Sequence, residues 1–385
     1  MSQVVSGSAV DESNWTLFLD TGHGNIEVRV KLSDLEGEPA AKIVNGPEAI
    51  VVDAERNGNE LRLSMPHYDS ELKLTINGKQ MTGNWRKVRG AGNVAEMSAI
   101  LKPSGEAEYD DPEPFLGRWA VQFADSDDPA VGAFERFKEN LVLGTFLTTT
   151  GDYRYLQGYV QRGELHLSCF DGAHAFLFRA KLSSSGELAG RFMSGDWYQD
   201  SWTARRDPNI KLPDAFQQTT IAGQANLAKL AFPDLHGKQR FLGDSDLRGK
   251  VTLVEVFGSW CPNCHDEAQY LKDLRERYGE KGLKVVGLAF ELTGDLERDT
   301  RQVKRYVERF DVDYPVLVAG ISDKKTATKQ FPVIDRIRSY PTTLFLDQSG
   351  QIRATYTGFS GPATGEAHKR LRQRFEALIN KLLAE

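Results

Sequence analysis

The chain of 385 residues has room for two or three domains. Its composition, 40% hydrophobic and 26% charged, is that of an ordinary globular protein, and no apolar run approaches the ~20 residues that a membrane helix needs. Residues 1–216 carry 22 Lys and Arg against 32 Asp and Glu, whereas residues 217–385 carry 26 against 22. The acidic first part has no basic cluster, which argues against nucleic acid as a partner.

The first residues, MSQVVSGSAVDESNW, show neither the basic n-region nor the apolar h-region of a signal peptide. We therefore expect either a cytoplasmic protein or an exported protein that has lost its leader. Residues 1–10 are expected to form a flexible tail. The 3 cysteines are too few for a disulfide framework, and two of them, Cys261 and Cys264, stand close together.

An antiparallel β domain is predicted for residues 11–206. Several segments alternate between apolar and polar residues or are rich in β-formers, and turn signals such as NGNE, INGK and TTTGD separate them. This spacing is typical of a barrel or sandwich. The segments are Trp15–Asp20, Ile26–Leu32, Glu60–Met65, Glu71–Ile76, Glu164–Phe170 and Ala175–Leu182.

A weak internal repeat runs through this β domain. Trp15 matches Trp119, and the segment that begins at Gly58 matches the one that begins at Arg162, both at an offset of 104 residues. Chance similarity between hairpins is the alternative explanation. We predict a duplication with related halves at about 11–100 and 115–206, which close on each other and so leave few exposed edges.

Two breaks divide the chain further. The acidic, Pro-rich stretch Leu101–Phe115 suits a connector between the halves, and Arg205–Gln217 marks the end of the β domain. We place a linker at 207–218 and a second domain at 219–385, and we assign the β domain no part in the chemistry of the second. The remaining cysteine, Cys169, lies in an apolar strand and is expected to be a small buried side chain.

Strands and helices alternate in the second domain, which predicts an α/β fold with a mixed sheet and a terminal antiparallel hairpin. The whole chain is thus a two-domain α+β protein. The predicted elements are the strand Val251–Gly258, a helix over His265–Gly282, the strand Leu283–Phe290, a helix over about 295–310, the strand Thr342–Asp347 and a final helix over about 366–383.

The motif that follows the first of these strands has two interpretations. Cys261 and Cys264 form a C-x-x-C redox pair, but with His265 the same letters spell the haem-attachment motif C-x-x-C-H. A haem iron would need a second ligand, and all 5 methionines lie before residue 200. A Val-rich strand that runs straight into the motif is also unlike a helical haem pocket. The redox interpretation is therefore favoured, with His265 as an exposed polar residue.

The strand-to-helix junction gives the two thiols different roles. Cys261 falls near the helix N-terminus, where unpaired amides and the helix dipole favour a thiolate. Pro262 suits the first helical turn. Cys264, one turn further in, is expected to be more buried and to act as the resolving thiol. No second C-x-x-C or spaced His pair completes a metal site, so we expect neither a metal nor a cofactor.

The second domain, over about Thr219–Glu385, resembles the TlpA-like branch of the thioredoxin superfamily. The resemblance is carried by Phe232–Phe257, by WCPNC and by Tyr340–Ile352, with sequence YPTTLFLDQSGQI. It implies a thiol-disulfide oxidoreductase of the periplasm or cell envelope, which reduces protein disulfides and receives electrons from another protein. It also implies a cis-proline loop at Pro341, and substrate contacts by Trp260, Pro262, Tyr340 and Thr342.

Two acids complete the predicted site. Glu255 lies six residues before Cys261, where thioredoxins keep a buried acid, and its neighbours in the strand are apolar. A buried carboxyl has a raised pKa and can exchange a proton with the resolving thiol. Glu267 matches an acid of some TlpA-like reductases, although a Glu on the surface of a first helical turn explains it equally well.

The sequence therefore predicts a reductase that acts by dithiol-disulfide exchange through Cys261 and Cys264. The competing class is a binding or assembly module of the cell envelope, in which the second domain only docks a partner. Reduction of a disulfide substrate such as insulin separates the two.

Overall fold

The computed structural model describes residues 13–90, 92–222 and 227–385. The tail expected at residues 1–10 lies outside the described residues. The first strands form a closed antiparallel barrel in chain order, since the first strand pairs with both the second and the last. Its strands are β1 (Ser13–Asp20), β2 (Asn25–Ser33), β3 (Ala40–Asn45), β4 (Glu48–Asn57), β5 (Glu60–Met65), β6 (Ser70–Asn77), β7 (Gln80–Gly90) and β8 (Asn93–Pro103).

A second antiparallel barrel follows. Here β9 pairs with β10 and β17, and β10 also pairs with β11, so that the sheet closes; β12 adds only a short pair to β11. Its strands are β9 (Gly117–Phe123), β10 (Ala130–Phe137), β11 (Leu141–Thr148), β12 (Gly151–Asp152), β13 (Leu156–Gln161), β14 (Glu164–Phe170), β15 (Ala175–Leu182), β16 (Leu188–Ser194) and β17 (Tyr198–Arg206).

The two barrels share one topology, which agrees with the predicted internal duplication. Trp15 lies in β1 and Trp119 in β9, and the matched strands β5 and β14 begin at Glu60 and Glu164. The halves do not close on each other, however, because each closes on itself. Eight strands enclose an interior just wide enough for side chains to fill, so that neither barrel needs the other to cover its edges.

Each barrel has its own core. Large aromatic side chains fill the interior of the second, among them Trp119, Phe146 and Phe178. The barrels meet where β2 and β3 of the first pack against β14 of the second, and the side-chain amide of Asn45 in β3 donates to the carbonyl of Phe170 (2.9 Å) and accepts from its backbone N–H (3.2 Å). The contact fixes the second barrel beside the first.

The C-terminal part contains a mixed sheet, as predicted. Its five strands have the order β22-β21-β20-β23-β24. The central strand β20 is parallel to β21, antiparallel to β23 and buried along its whole length, as expected of a strand covered on both faces. The elements are β18 (Ala231–Pro233), β19 (Gln239–Phe241), β20 (Val251–Phe257), α1 (Pro262–Tyr278), β21 (Leu283–Glu291), α2 (Leu296–Phe310), β22 (Val316–Ile321), α3 (Lys324–Gln330), β23 (Thr342–Leu346), β24 (Ile352–Thr357) and α4 (Glu366–Ala384).

Among the described residues, the hydrophobic core of this part is formed by residues between 215 and 383. Within the described residues, none of the helices is sufficiently long and apolar to span a bilayer.

Candidate active site

The predicted redox pair lies where β20 ends and α1 begins. Cys261 is the N-cap of the helix, and its sulfur accepts a hydrogen bond from the backbone N–H of Cys264 (3.3 Å). The Cys261 thiol also lies 3.4 Å from the carbonyl oxygen of Tyr340, to which it can donate. Pro262 occupies the first helical position, where the missing N–H costs nothing. Both cysteines are free thiols in this structure.

The two thiols differ in their access to solvent. Cys261 is 6% exposed, whereas Cys264 is fully buried beneath it. Burial raises the pKa of the Cys264 thiol well above its ordinary value, and the neighbouring Cys261 raises it further. Cys264 is therefore a neutral thiol that must lose its proton before it can attack.

The loop that faces the thiols contains a cis peptide bond between Tyr340 and Pro341. The ring of Trp260 meets that of Tyr340 edge-on at a centroid distance of 5.5 Å, and the Trp260 indole donates to the carbonyl of Phe290 (3.0 Å). Thr342 differs from the other residues predicted to contact substrate, because its side chain is fully buried and donates to the carbonyl of Ser339 (2.8 Å).

Behind the thiols lie the two predicted acids, both fully buried. Burial and the nearby Glu267 raise the pKa of Glu255 well above its usual range, although the Tyr314 hydroxyl donates to its Oε2 (2.9 Å). Burial also raises the pKa of Glu267 to about 8, against a hydrogen bond from Thr343 that lowers it. The alternative of a solvent-exposed Glu267 on the surface of α1 is thus wrong, because α1 turns this side chain toward β23.

A third buried acid, Glu291, was not predicted. Its two carboxylate oxygens accept hydrogen bonds from the backbone N–H (2.8 Å) and the hydroxyl (2.7 Å) of Ser259, two residues before Cys261. Burial raises the pKa of Glu291 to about 7. A single acid at the end of the apolar run VVGLAFE was the signal that could have found it.

His265 is buried, contrary to our expectation of solvent exposure. Its Nε2 lies 2.9 Å from the carbonyl oxygen of Ser259, and its Nδ1 lies 2.6 Å from the hydroxyl of Tyr68 in the first barrel. Because a carbonyl only accepts, Nε2 carries the proton and Nδ1 accepts from Tyr68. Burial lowers the pKa of His265 well below its ordinary value, so that the ring is neutral. With both nitrogens engaged by protein groups, neither is available to a haem iron.

The second barrel supplies a cation to the start of α1. Arg154 is buried and donates to the carbonyl of Pro262 (3.2 Å), and it forms ion pairs with Asp266 of α1, with Glu48 of the first barrel and with Asp171 of the second. Burial raises the pKa of Glu48 to about 7, although Arg154 lowers it. One guanidinium thus joins all three parts of the molecule, which no local pattern in the sequence indicates.

Cys261 opens into a cleft of about 380 Å³ between the C-terminal part and the second barrel. The Ser339 hydroxyl donates to the carbonyl of Thr150 (2.6 Å) and Arg338 pairs with Asp128 (2.6 Å), and these contacts hold the two walls together. On the C-terminal side the lining residues are Trp260, Cys261, Pro262, Asn263 and Tyr340. The opposite wall includes Phe123, Asp125, Asp128, Thr150, Asp152, Tyr153, His174, Phe176, Phe192, Tyr198 and Asp200.

The sheet order and the two thiols at the start of α1 define a dithiol domain of the thioredoxin type. Residues 211–370 match the family model described as Redoxin. This match agrees with the resemblance of the C-terminal part to TlpA-like thioredoxin domains.

Relatives of known name align with part of the chain. The chain is 31% identical over 113 residues to the thioredoxin-like protein YneN of Bacillus subtilis, and this alignment covers 29% of the chain and 59% of YneN. The chain is also 30% identical over 119 residues to the thiol-disulfide oxidoreductase ResA of Bacillus cereus, and this alignment covers 31% of the chain and 60% of ResA. The chain therefore spans about three fifths of the length of these relatives.

Among solved structures, a putative thiol:disulfide interchange protein DsbE from Chlorobium tepidum superposes on the chain with 19% sequence identity and a TM-score of 0.31. The superposition covers 43% of this chain and 99% of that one.

Proposed function

We propose that the protein is a thiol-disulfide oxidoreductase that reduces disulfides through Cys261 and Cys264. The observation that carries the proposal is the placement of the two sulfurs, with Cys261 at the mouth of the cleft and Cys264 buried directly behind it. The backbone N–H of Cys264 donates to the Cys261 sulfur at the N-terminus of α1. The names of the relatives agree with this chemistry.

The proposed reaction consists of two successive thiol-disulfide exchanges. The Cys261 thiolate attacks one sulfur of the substrate disulfide, forms a mixed disulfide and releases the first substrate thiolate, which takes up a proton. Cys264 then loses its proton and attacks the Cys261 sulfur, which forms the Cys261–Cys264 disulfide and releases the second substrate thiol. The substrate gains two electrons and two protons. A protein donor in the periplasm or cell envelope returns the electrons, as the family resemblance implies.

The reduction potential of the Cys261–Cys264 pair tests the direction of electron flow. For a reductase we expect a value near the ~-270 mV of thioredoxin, measured by equilibration with glutathione buffers, and catalysed reduction of insulin. A potential near ~-120 mV would identify an oxidant instead. A protein that forms the internal disulfide but reduces neither insulin nor a small disulfide would belong to the class of docking modules.

We further propose that Glu255 accepts the proton of Cys264. The charge of Glu255 raises the pKa of Cys264, so the two groups interact in the buried space beneath the motif. Tyr314 donates to Oε2 of Glu255. The other carboxylate oxygen of Glu255, Oε1, has no hydrogen-bond partner among the described residues and can receive a proton. A neutral Cys264 needs such an acceptor, because the surrounding core excludes water.

Glu255→Gln should therefore slow the resolution of the mixed disulfide about 10²-fold and leave the attack of Cys261 nearly unchanged. Since burial holds the pKa of Glu255 well above its usual range, its carboxylate form grows at a higher pH than that of an ordinary glutamate, and wild-type resolution should accelerate over that higher range. Stopped-flow fluorescence of Trp260 can resolve the two steps. The control is Glu276→Gln on the exposed face of α1. Equal resolution rates in Glu255→Gln and wild type across the pH range would remove Glu255 from the mechanism.

A further inference from the structure

The cleft limits what can reach Cys261. Its volume of about 380 Å³ is near the lower end for small-molecule sites, so it holds a small disulfide or an extended segment of a few side chains rather than a folded surface. The second barrel forms the wall opposite the thiol. Side chains of this barrel therefore lie beside any group that flanks the sulfur under attack.

The acidic side chains of this wall outnumber the basic ones. Among the residues that line the cleft in the described part of the chain are four aspartates but no lysine or arginine. Two of the aspartates have other partners, since Asp128 pairs with Arg338 and Asp152 accepts from the backbone N–H of Gly361 (2.6 Å).

The other two aspartates, Asp125 and Asp200, form no ion pair with the lysines and arginines of the described residues. Both accept from the hydroxyl of Tyr198, at 3.2 and 3.5 Å, and Asp200 also accepts from the backbone N–H of Asp125 (3.3 Å). Two carboxylates thus meet at the cleft without a cation of their own.

Aromatic rings surround the same place. Phe192 lies 6.1 Å from Tyr198 and 5.2 Å from Tyr153, and Phe176 lies 5.4 Å from Phe192, all between ring centroids. Aromatic faces attract ammonium and guanidinium groups, and the attraction grows where water is excluded. The rings and the two carboxylates therefore favour one kind of guest, a cation with an apolar stem.

We propose that this wall selects disulfides that carry an ammonium or guanidinium group close to the sulfur. The inference rests on the proposed function, because Cys261 must attack the disulfide that the wall has positioned. The cation sits between Asp125, Asp200 and the rings while the disulfide faces Cys261. An anionic flank would meet the same carboxylates and be repelled.

Three small disulfides of similar size test the selection: cystamine, which is dicationic, bis(2-hydroxyethyl) disulfide, which is neutral, and 3,3′-dithiodipropionate, which is dianionic. For each, kcat/KM of the full-length protein is divided by the rate constant of the same disulfide with dithiothreitol, so that intrinsic reactivity cancels. Cystamine should then exceed the neutral probe by about tenfold, a factor that corresponds to ~1.4 kcal/mol. The dianion should fall below the neutral probe, and the differences should shrink as salt is raised.

Asp125→Asn and Asp200→Asn should each reduce the ratio of cystamine to the neutral probe severalfold. Asp125 is exposed, so its variant keeps the test valid even if Asp200→Asn does not fold. The control is Asp53→Asn, an exposed aspartate of the first barrel that does not line the cleft and should leave the ratio unchanged. Turnover of the neutral probe with a ratio that no variant alters would overturn this inference alone. Absence of turnover with all three probes would overturn the proposed function, and the inference with it.

A basic polypeptide segment or a small amine disulfide could supply such a cation. Disulfide-linked tripeptides in which Lys, Gln or Glu flanks the cysteine on both sides distinguish the two sources. Preference for the Lys peptide over the Gln peptide, lost in Asp125→Asn, assigns the site to basic polypeptide segments. Preference for cystamine without a preference among the peptides assigns it to small amine disulfides.

Discussion

Cys264→Ser should trap a mixed disulfide at Cys261 and lower turnover by at least ~10³-fold. The serine hydroxyl cannot displace the substrate thiol, so the reaction stops after the first exchange. The loss is large because a thiol held beside the mixed disulfide acts at an effective concentration far above that of free thiols in solution. The trapped adduct is measured by mass spectrometry of the intact protein after incubation with a disulfide.

Cys261→Ser should abolish turnover without trapping an adduct, because Cys264 is fully buried beneath the motif. Cys169→Ser is the control, since Cys169 is also buried but lies in β14 of the second barrel. Its variant should keep wild-type turnover. Adducts at Cys264 in the Cys261→Ser variant would reverse the roles assigned to the two thiols.

Arg154→Met should reduce the free energy of unfolding by about 3–5 kcal/mol, the usual loss when one partner of a buried ion pair is removed. The variant leaves Glu48, Asp171 and Asp266 without their shared cation. Urea unfolding measures the change. The control is Arg205→Met, whose side chain is 83% exposed and pairs with Glu187, and which should cost at most about 1 kcal/mol.

The destabilisation of Arg154→Met should also depend on pH. The pKa of Glu48 is already raised to about 7 by burial, and loss of the guanidinium raises it further. An acid whose folded-state pKa exceeds its unfolded value destabilises the fold as pH rises from the unfolded pKa toward the folded one. The deficit of the variant should therefore be larger at pH 8 than at pH 5. A deficit that is small at both would mean that the cluster contributes little to stability.

Local patterns were sufficient to predict where the two thiols lie in the fold. Cys261 and Cys264 follow a buried strand and begin a helix, and apolar neighbours in β20 indicated that Glu255 is buried. The burial of Glu267 was harder to predict, because the first turn of a helix is usually exposed and the cover comes from Thr343 on a distant strand.

The contacts of the two barrels with the C-terminal part could not be predicted from the sequence. Tyr68 and Arg154 reach the start of α1 only because two barrels close and pack against the C-terminal part, which brings together residues more than 100 positions apart. The repeat at an offset of 104 residues predicted related halves, but strand spacing does not show whether such halves close separately or together. The sequence therefore predicted the placement of the two thiols but not the surface that surrounds them.

The contacts across the cleft have a mechanical consequence. They are hydrogen bonds and ion pairs, such as those of Ser339 with Thr150 and of Arg338 with Asp128, and the hydrophobic core of the C-terminal part does not extend across them. Polar interfaces of this kind allow relative motion of the parts that they join. Raised ionic strength weakens an ion pair such as that of Arg338 with Asp128, so the stiffness of this joint depends on salt, while the buried Arg154 cluster keeps the second barrel attached to α1.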